Sequence, residues 1–136
     1  MADNHVRTPH RGGKGMVADT GNNVLIVEDE TLLALMLEDL LLDIGHHVMH
    51  AGSLPDAMEL VEREHFDAAI LDINLDGEDV FPLAERLREL RTPFVFASAM
   101  DADRIDPEFR QEQLIAKPYT IGQVEQSLDR MLSTTR

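Results

Sequence analysis

The chain contains no cysteine. That absence removes two classes at once, since no disulfide framework can brace the fold and no thiolate can hold a metal. Basic residues are scarce as well, 12 Lys and Arg against 26 Asp and Glu, for a net charge of −14. Nucleic-acid binding needs clustered Lys and Arg to meet phosphates, and no such cluster appears, so no DNA or RNA partner is expected. Long apolar runs are also missing. The longest, near Leu32 to Leu42, is broken by Glu38 and Asp39 and falls short of the roughly 20 residues that span a bilayer. The N-terminus lacks the apolar run of a secretory signal. No membrane insertion and a cytoplasmic location are the resulting expectations.

What is present suits a single domain. The 136 residues, 43% of them hydrophobic, are enough for one real core. Residues 1–21 carry Arg7, Arg11 and Lys14 against Asp3 and Asp19, a net of +1, which leaves −15 on the remainder. This first stretch is rich in Gly, Asn, His and Arg without apolar periodicity, so it is expected to be a disordered leader or cloning remnant, with Met16 as an alternative start. His5 and His10 lie in it and are read as incidental. The folded domain is expected over residues 22–136.

From Asn22 onward, apolar runs of strand length alternate with longer helical patterns, the signature of βαβ units around a parallel sheet. Val24 to Val27 is a continuous apolar run, as in a strand buried on both faces. It stops at Glu28, Asp29 and Glu30, after which a Leu- and Met-rich helix runs from about Leu32 to Ile44 and ends at Gly45. A second strand spans His47 to His50. Ser53 then caps a helix containing Ala57, Leu60 and Val61, with Asp56 supporting the start. The third strand, Ala68 to Leu71, ends at Asp72, and a turn through Gly77 leads to a helix facing Val80, Leu83, Ala84 and Leu87 inward. Phe94 to Ala97 is a fourth strand ending at Ser98. The charged segment from Asp101 to Gln113 contains Pro107 and has weak periodicity, so a short or irregular fourth helix is expected. Leu114 to Ala116 is a fifth strand ending at Lys117, and Thr120 caps a last helix with Ile121, Val124, Leu128 and Leu132 inward. Met36, Met49 and Met58 fall at apolar positions and are expected in the core. His46, His47 and His50 suggest no metal site.

In an open parallel sheet, ligands sit outside the carboxyl ends of the strands. With right-handed crossovers, four such ends share one rim: Glu28 with Asp29, Asp72, Ser98 and Lys117. Three carboxylates within about 4 Å of one another repel by several kcal/mol per pair at an effective dielectric near 20, which a hard divalent cation relieves. Mg²⁺ (or Mn²⁺) suits a shallow site of carboxylates and a carbonyl. Lys117 supplies a compact positive charge, and Ser98 a hydroxyl donor. A nucleophile, a metal and two donors are the minimal apparatus for phosphoryl transfer to a carboxylate.

Across about residues 22–136 the sequence resembles a response-regulator receiver. The resemblance rests on Val-Glu-Asp-Glu at the first strand end, Leu-Asp-Ile-Asn at the third, Ala-Ser-Ala at the fourth and Ala-Lys-Pro-Tyr at the fifth. It implies a doubly wound (βα)5 flavodoxin-like α/β fold with strand order 2-1-3-4-5. It further implies that Asp72 is the phosphoacceptor, Glu28 and Asp29 the acidic pair, and Asn74 a metal ligand through its backbone carbonyl. Ser98 and Lys117 would contact the phosphoryl group. The turn after Asp72 lacks the family's Met-Pro pair, and Leu114 stands where an aromatic switch residue is usual. Together with Pro93 to Ser98 and the 101–113 segment, this resembles the alphaproteobacterial FAT GUY single-domain receivers, although Ser98-Ala99-Met100 departs from their Thr-Gly-Tyr. Switching by ordering of 101–113 is then expected in place of the serine-to-aromatic coupling.

The expected function is capture of a phosphoryl group from a sensor histidine kinase onto Asp72 in a Mg²⁺-dependent phosphorelay. A histidine phosphotransfer protein or another regulator is a further partner. With no effector domain expected after residue 136, output is by protein contact, and the protein catalyses only its own phosphoryl capture and hydrolysis. The alternatives are a phosphate sink or a degenerate receiver acting as a binding adaptor. A haloacid-dehalogenase-type phosphatase would need a second aspartate where Asn74 stands.

Overall fold

The computed structural model describes residues 21–73, 75, 77–98, 113–116 and 120–134. Five strands form one sheet: β1 (Asn23–Val27), β2 (His47–Ala51), β3 (Ala68–Asp72), β4 (Phe94–Ser98) and β5 (Gln113–Ala116). Their order is β2-β1-β3-β4-β5, with every neighbouring pair parallel. Parallel strands need crossovers, and α1 (Thr31–Ile44), α2 (Leu54–Arg63) and α3 (Phe81–Glu89) supply those between the first four strands, while α4 (Ile121–Thr134) follows β5. This is the doubly wound flavodoxin-like architecture. The expected leader and the expected irregular helix over most of 101–113 lie outside the described residues.

Alternation along the strands sorts the core into two layers. Leu25, Val27, Ala69, Leu71, Phe94 and Phe96 face Ala57 and Val61 of α2 and Leu83, Ala84 and Leu87 of α3. On the other side Val24, Ile26, Ala68, Ile70, Val95 and Ala97 meet Leu37 and Leu41 of α1 and Val124, Leu128 and Met131 of α4. Because both faces are covered, the strands are almost unbroken apolar runs.

The helix ends follow from their cap residues. The Asp56 N–H donates to Ser53 Oγ (3.3 Å) at the start of α2. At α4, Gln123 N–H donates to Thr120 Oγ1 and Thr120 N–H to Gln123 Oε1, both at 3.1 Å, a reciprocal capping box. One further donor at the start of α2, the Leu54 N–H, is met by Glu78 Oε1 (2.9 Å) from the β3–α3 loop. The Met36 expectation is overturned: this side chain is 60% exposed, and Leu32 and Leu35 beside it are exposed too. Apolar residues occupy nearly every turn of α1, and the face that is buried toward the sheet carries Ala34, Leu37, Leu41 and Leu42. Met49 and Met58 are half-buried against the core.

Two helices close with the same C-terminal bond pattern but different residues. After α1, His46 N–H reaches Leu41 O and Gly45 N–H reaches Leu42 O, both at 3.0 Å, with Gly45 at φ +112°. After α3, Thr92 N–H reaches Leu87 O (2.8 Å) and Arg91 N–H reaches Arg88 O (3.0 Å), and Arg91 takes φ +63°. A side chain in that left-handed region crowds its own carbonyl at a cost of roughly 1–2 kcal/mol. Glycine avoids the crowding but loses more entropy on folding. Arg91→Gly is therefore expected to stabilise by a net of about 0.5 kcal/mol, and Arg91→Val, with a β-branch, to destabilise by about 1 kcal/mol. Urea midpoints check this; a glycine variant no more stable than Arg91→Ala would refute it.

His46 lies where α1 turns into β2 and lines a shallow cleft with Ile44 and with Glu125, Leu128 and Asp129 of α4. The Asn22 N–H donates to its Nδ1 (3.3 Å), which keeps that nitrogen an acceptor. Burial pushes the His46 pKa below its usual 6.5, assisted by His47 and opposed by Asp129 and Asp67. The folded chain thus binds this proton less readily than the unfolded chain does. The stability involved is complete above the unfolded pKa and is lost as pH falls through the folded one. His46→Asn keeps an oxygen for the Asn22 N–H but cannot titrate. It is expected to flatten the fall in stability below about pH 6.5, measured by denaturant melts across that window. An unchanged slope would rule His46 out as its source.

Candidate functional site

The parallel register carries the site. Val27 of β1 pairs with Leu71 of β3, so Glu28 follows the one strand where Asp72 ends the other. Asp72 in turn pairs with Ala97 of β4, and Ile73 N–H donates to Ala97 O (3.0 Å), holding the chain in line just past the acidic residue. Ser98 of β4 and Ala116 of β5 are register partners at the same rim. All five carboxyl ends therefore open on one edge of the sheet.

Carboxylate oxygens of Glu28, Asp29 and Asp72 lie within 4.8 Å of one another. Glu28 is 1% and Asp72 2% exposed, whereas Asp29 is exposed. At that separation an ionised pair repels by about 3 kcal/mol at an effective dielectric near 20. Two buried carboxylates and one facing solvent form an all-oxygen donor set open on one side. That chemistry fits a small hard cation such as Mg²⁺, which keeps waters on its open face, better than it fits a soft or nitrogen-seeking metal.

Local bonds hold the Glu28 end. Its N–H donates to Ala51 O (3.1 Å), and its Oε2 accepts from the Glu30 N–H (3.1 Å). Its backbone carbonyl accepts from His50 Nε2 at 2.7 Å. Reading the sequence alone assigned His50 no role at the site. The contact depends on the pairing of β1 with β2, 22 residues away in the chain.

Of the residues expected at the site, Glu28, Asp29 and Asp72 are brought together. Asn74, Lys117 and the Ser98 side chain lie outside the described residues. Ser98 ends β4 at the rim, and Lys117 directly follows the last residue of β5.

Comparison with known proteins agrees with this architecture. Residues 24–129 match the model of the response regulator receiver domain. The transcriptional regulatory protein TcrA of Mycobacterium tuberculosis is 31% identical over 130 residues, covering 91% of this chain and 51% of TcrA. The transcriptional activator protein PfeR of Pseudomonas aeruginosa is 33% identical over 117 residues, 83% of this chain and 38% of PfeR. The chain thus spans about half or less of the length of these relatives. Among solved structures, SdrG from Sphingomonas melonis Fr1 superposes with a TM-score of 0.74 at 39% identity, covering 84% of this chain and 98% of SdrG. The receiver domain of Erythrobacter litoralis PhyR gives 0.73 at 29%, covering 83% and 91%. With the matched family model spanning most of the sheet and its rim, the chain belongs to the response regulator receiver domain family.

Proposed function

We propose that this receiver takes a phosphoryl group from the phosphohistidine of a sensor histidine kinase onto Asp72. The observation that carries the reading is the placement of buried Asp72 within 4.8 Å of the Glu28 and Asp29 carboxylates at the rim of a receiver fold. An Asp72 oxygen attacks phosphorus, the donor's P–N bond breaks, and the departing imidazole nitrogen keeps the electron pair. Glu28, Asp29, Asp72 and the Asn74 carbonyl would hold Mg²⁺, which supplies neutralisation of charge on the phosphoryl oxygens. Ser98 and Lys117 would donate to those oxygens. A solved relative, SdrG, is described in a BeF3-activated conformation, which supports a site built for a phosphoryl-like group.

Input and output are by protein contact in this reading. Leu32, Leu35 and Met36 form an exposed apolar face on the first turns of α1, two residues beyond Asp29 and the acidic cluster. Such a face supports a protein donor or target, a phosphotransfer protein or another regulator included, and the net charge of −14 counts against nucleic acid. No helix among the described residues is long and apolar enough to cross a membrane, in keeping with work in the cytoplasm. Membership of the FAT GUY subgroup, resting on Pro93 to Ser98 and Leu114, is part of the same proposal. The test is incubation with acetyl phosphate and Mg²⁺. Intact mass should rise by one phosphoryl group that alkali removes, and chelation with EDTA should prevent the gain. A chain that stays unmodified under these conditions would overturn the reading.

A further inference from the structure

We infer that His50 is a positioning residue for the metal-binding pair, acting through the peptide that joins Glu28 to Asp29. The inference rests on the Mg²⁺ reading of the acidic cluster. Its observation is the 2.7 Å contact of His50 Nε2 with the Glu28 carbonyl oxygen. A carbonyl only accepts, so the imidazole donates and Nε2 carries the proton. At 2.7 Å the bond lies at the short end for nitrogen donors.

The geometry explains what the bond does. The ladder between β1 and β2 ends at Val27 opposite Ala51, and one more backbone bond, Glu28 N–H to Ala51 O, extends it. Beyond that point β2 ends, and Gly52 and Ser53 lead into α2. Here the His50 ring reaches across to the Glu28 carbonyl, a partner that a longer β2 would have bonded through its backbone. That carbonyl belongs to the Glu28–Asp29 peptide unit. Orienting its plane constrains ψ of Glu28 and φ of Asp29, the two torsions that decide whether both carboxylates aim at one point. Glu28 is buried and held at its N–H and Oε2, Asp29 is exposed on a bend, and His50 adds a hold on the peptide that joins them. His50 stands to this pair as the partners behind a metal ligand usually stand, touching neither the ion nor the phosphoryl group.

The side chains of Gln and Asn separate this role from mere filling of space. The Gln amide nitrogen reaches about as far as His Nε2, whereas the Asn amide is shorter. Mg²⁺ is titrated into ¹⁵N,¹³C-labelled wild type, His50→Gln and His50→Asn, following the Asp29 and Gly52 amides and the Glu28 carbonyl carbon, with thermal melts in parallel. The expected result is about 10-fold weaker Mg²⁺ binding in His50→Asn. The Glu28 carbonyl resonance should move upfield there, and His50→Gln should restore most of both. If His50→Asn unfolds, His50→Gln with wild-type affinity and carbonyl shift still supports the role. Equal affinity in wild type and a folded His50→Asn overturns it, even where the melting temperature drops, because the histidine would then serve only the strand end. Equal weakening in both variants overturns it too. If the wild type gives no saturable Mg²⁺ response, the metal reading itself fails and the inference falls with it.

Discussion

Asp72→Asn should receive no phosphoryl group from acetyl phosphate, with loading about 10³-fold or more below wild type, a loss of the order that follows removal of a nucleophile. The substitution keeps size and shape at a position only 2% exposed, so the sheet should remain intact and the loss should be chemical. An amide nitrogen has its lone pair delocalised into the carbonyl, and the amide oxygen carries no formal charge, so neither attacks phosphorus as a carboxylate does. Glu28 and Asp29 are close enough to be considered as substitutes, since their oxygens lie within 4.8 Å of Asp72. Glu28 is buried with one oxygen already engaged by the Glu30 N–H, and Asp29 sits on the solvent side of the cluster. An in-line approach to a phosphoryl group held at the strand end favours the side chain that emerges from the strand itself, which is Asp72. Peptide mapping of the modified wild type should place the label on Asp72. A variant that gains the same alkali-labile mass at the same rate would show that another side chain is the acceptor.

The elements that local chemistry alone decides were the ones visible in the sequence. Val24 to Val27 and Ala68 to Leu71 are apolar without interruption because both faces of each strand are covered, so their burial could be anticipated. Gly45, Ser53 and Thr120 are cap residues with a single good use each, and all three close or open a helix as expected. The acidic triad was legible for a topological reason, since parallel strands deliver all their carboxyl ends to one rim. What the sequence does not reveal depends on partners distant in the chain. The bond from Glu78 to the start of α2 spans 24 residues, and that from His50 to Glu28 spans 22. No local pattern announces either. Met36 was misplaced because α1 carries Leu or Met on several faces, and only the angle at which the helix meets the sheet chooses among them. The left-handed turn at Arg91 was hidden for the opposite reason, as the residue best suited to it is absent there.

In metal-free solution Asp72→Asn should be more stable than the wild type, by about 1–3 kcal/mol or roughly 3–10 °C in Tm. Two opposed terms decide the sign. Removing the Asp72 charge relieves its repulsion with Glu28 and with Asp29, nominally about 3 kcal/mol each at an effective dielectric near 20. Exposure of Asp29 and small relaxations reduce that sum. Against it stands the weaker attraction of a neutral amide for donors and cations at the rim, about 1–2 kcal/mol. The charge term is the larger because two of the three carboxylates are buried, where solvent and salt screen them least. Mg²⁺ should invert the order. A ligand that binds only the folded state adds about 2.7 kcal/mol at 100 times its Kd, and the variant, with one carboxylate fewer, gains less of it. Melting both proteins in EDTA and again in saturating Mg²⁺ therefore gives a crossing rather than a constant offset. A variant less stable than wild type in EDTA would mean that the three carboxylates are not a repulsive cluster awaiting a cation, and that the Asp72 charge contributes to the fold through attraction.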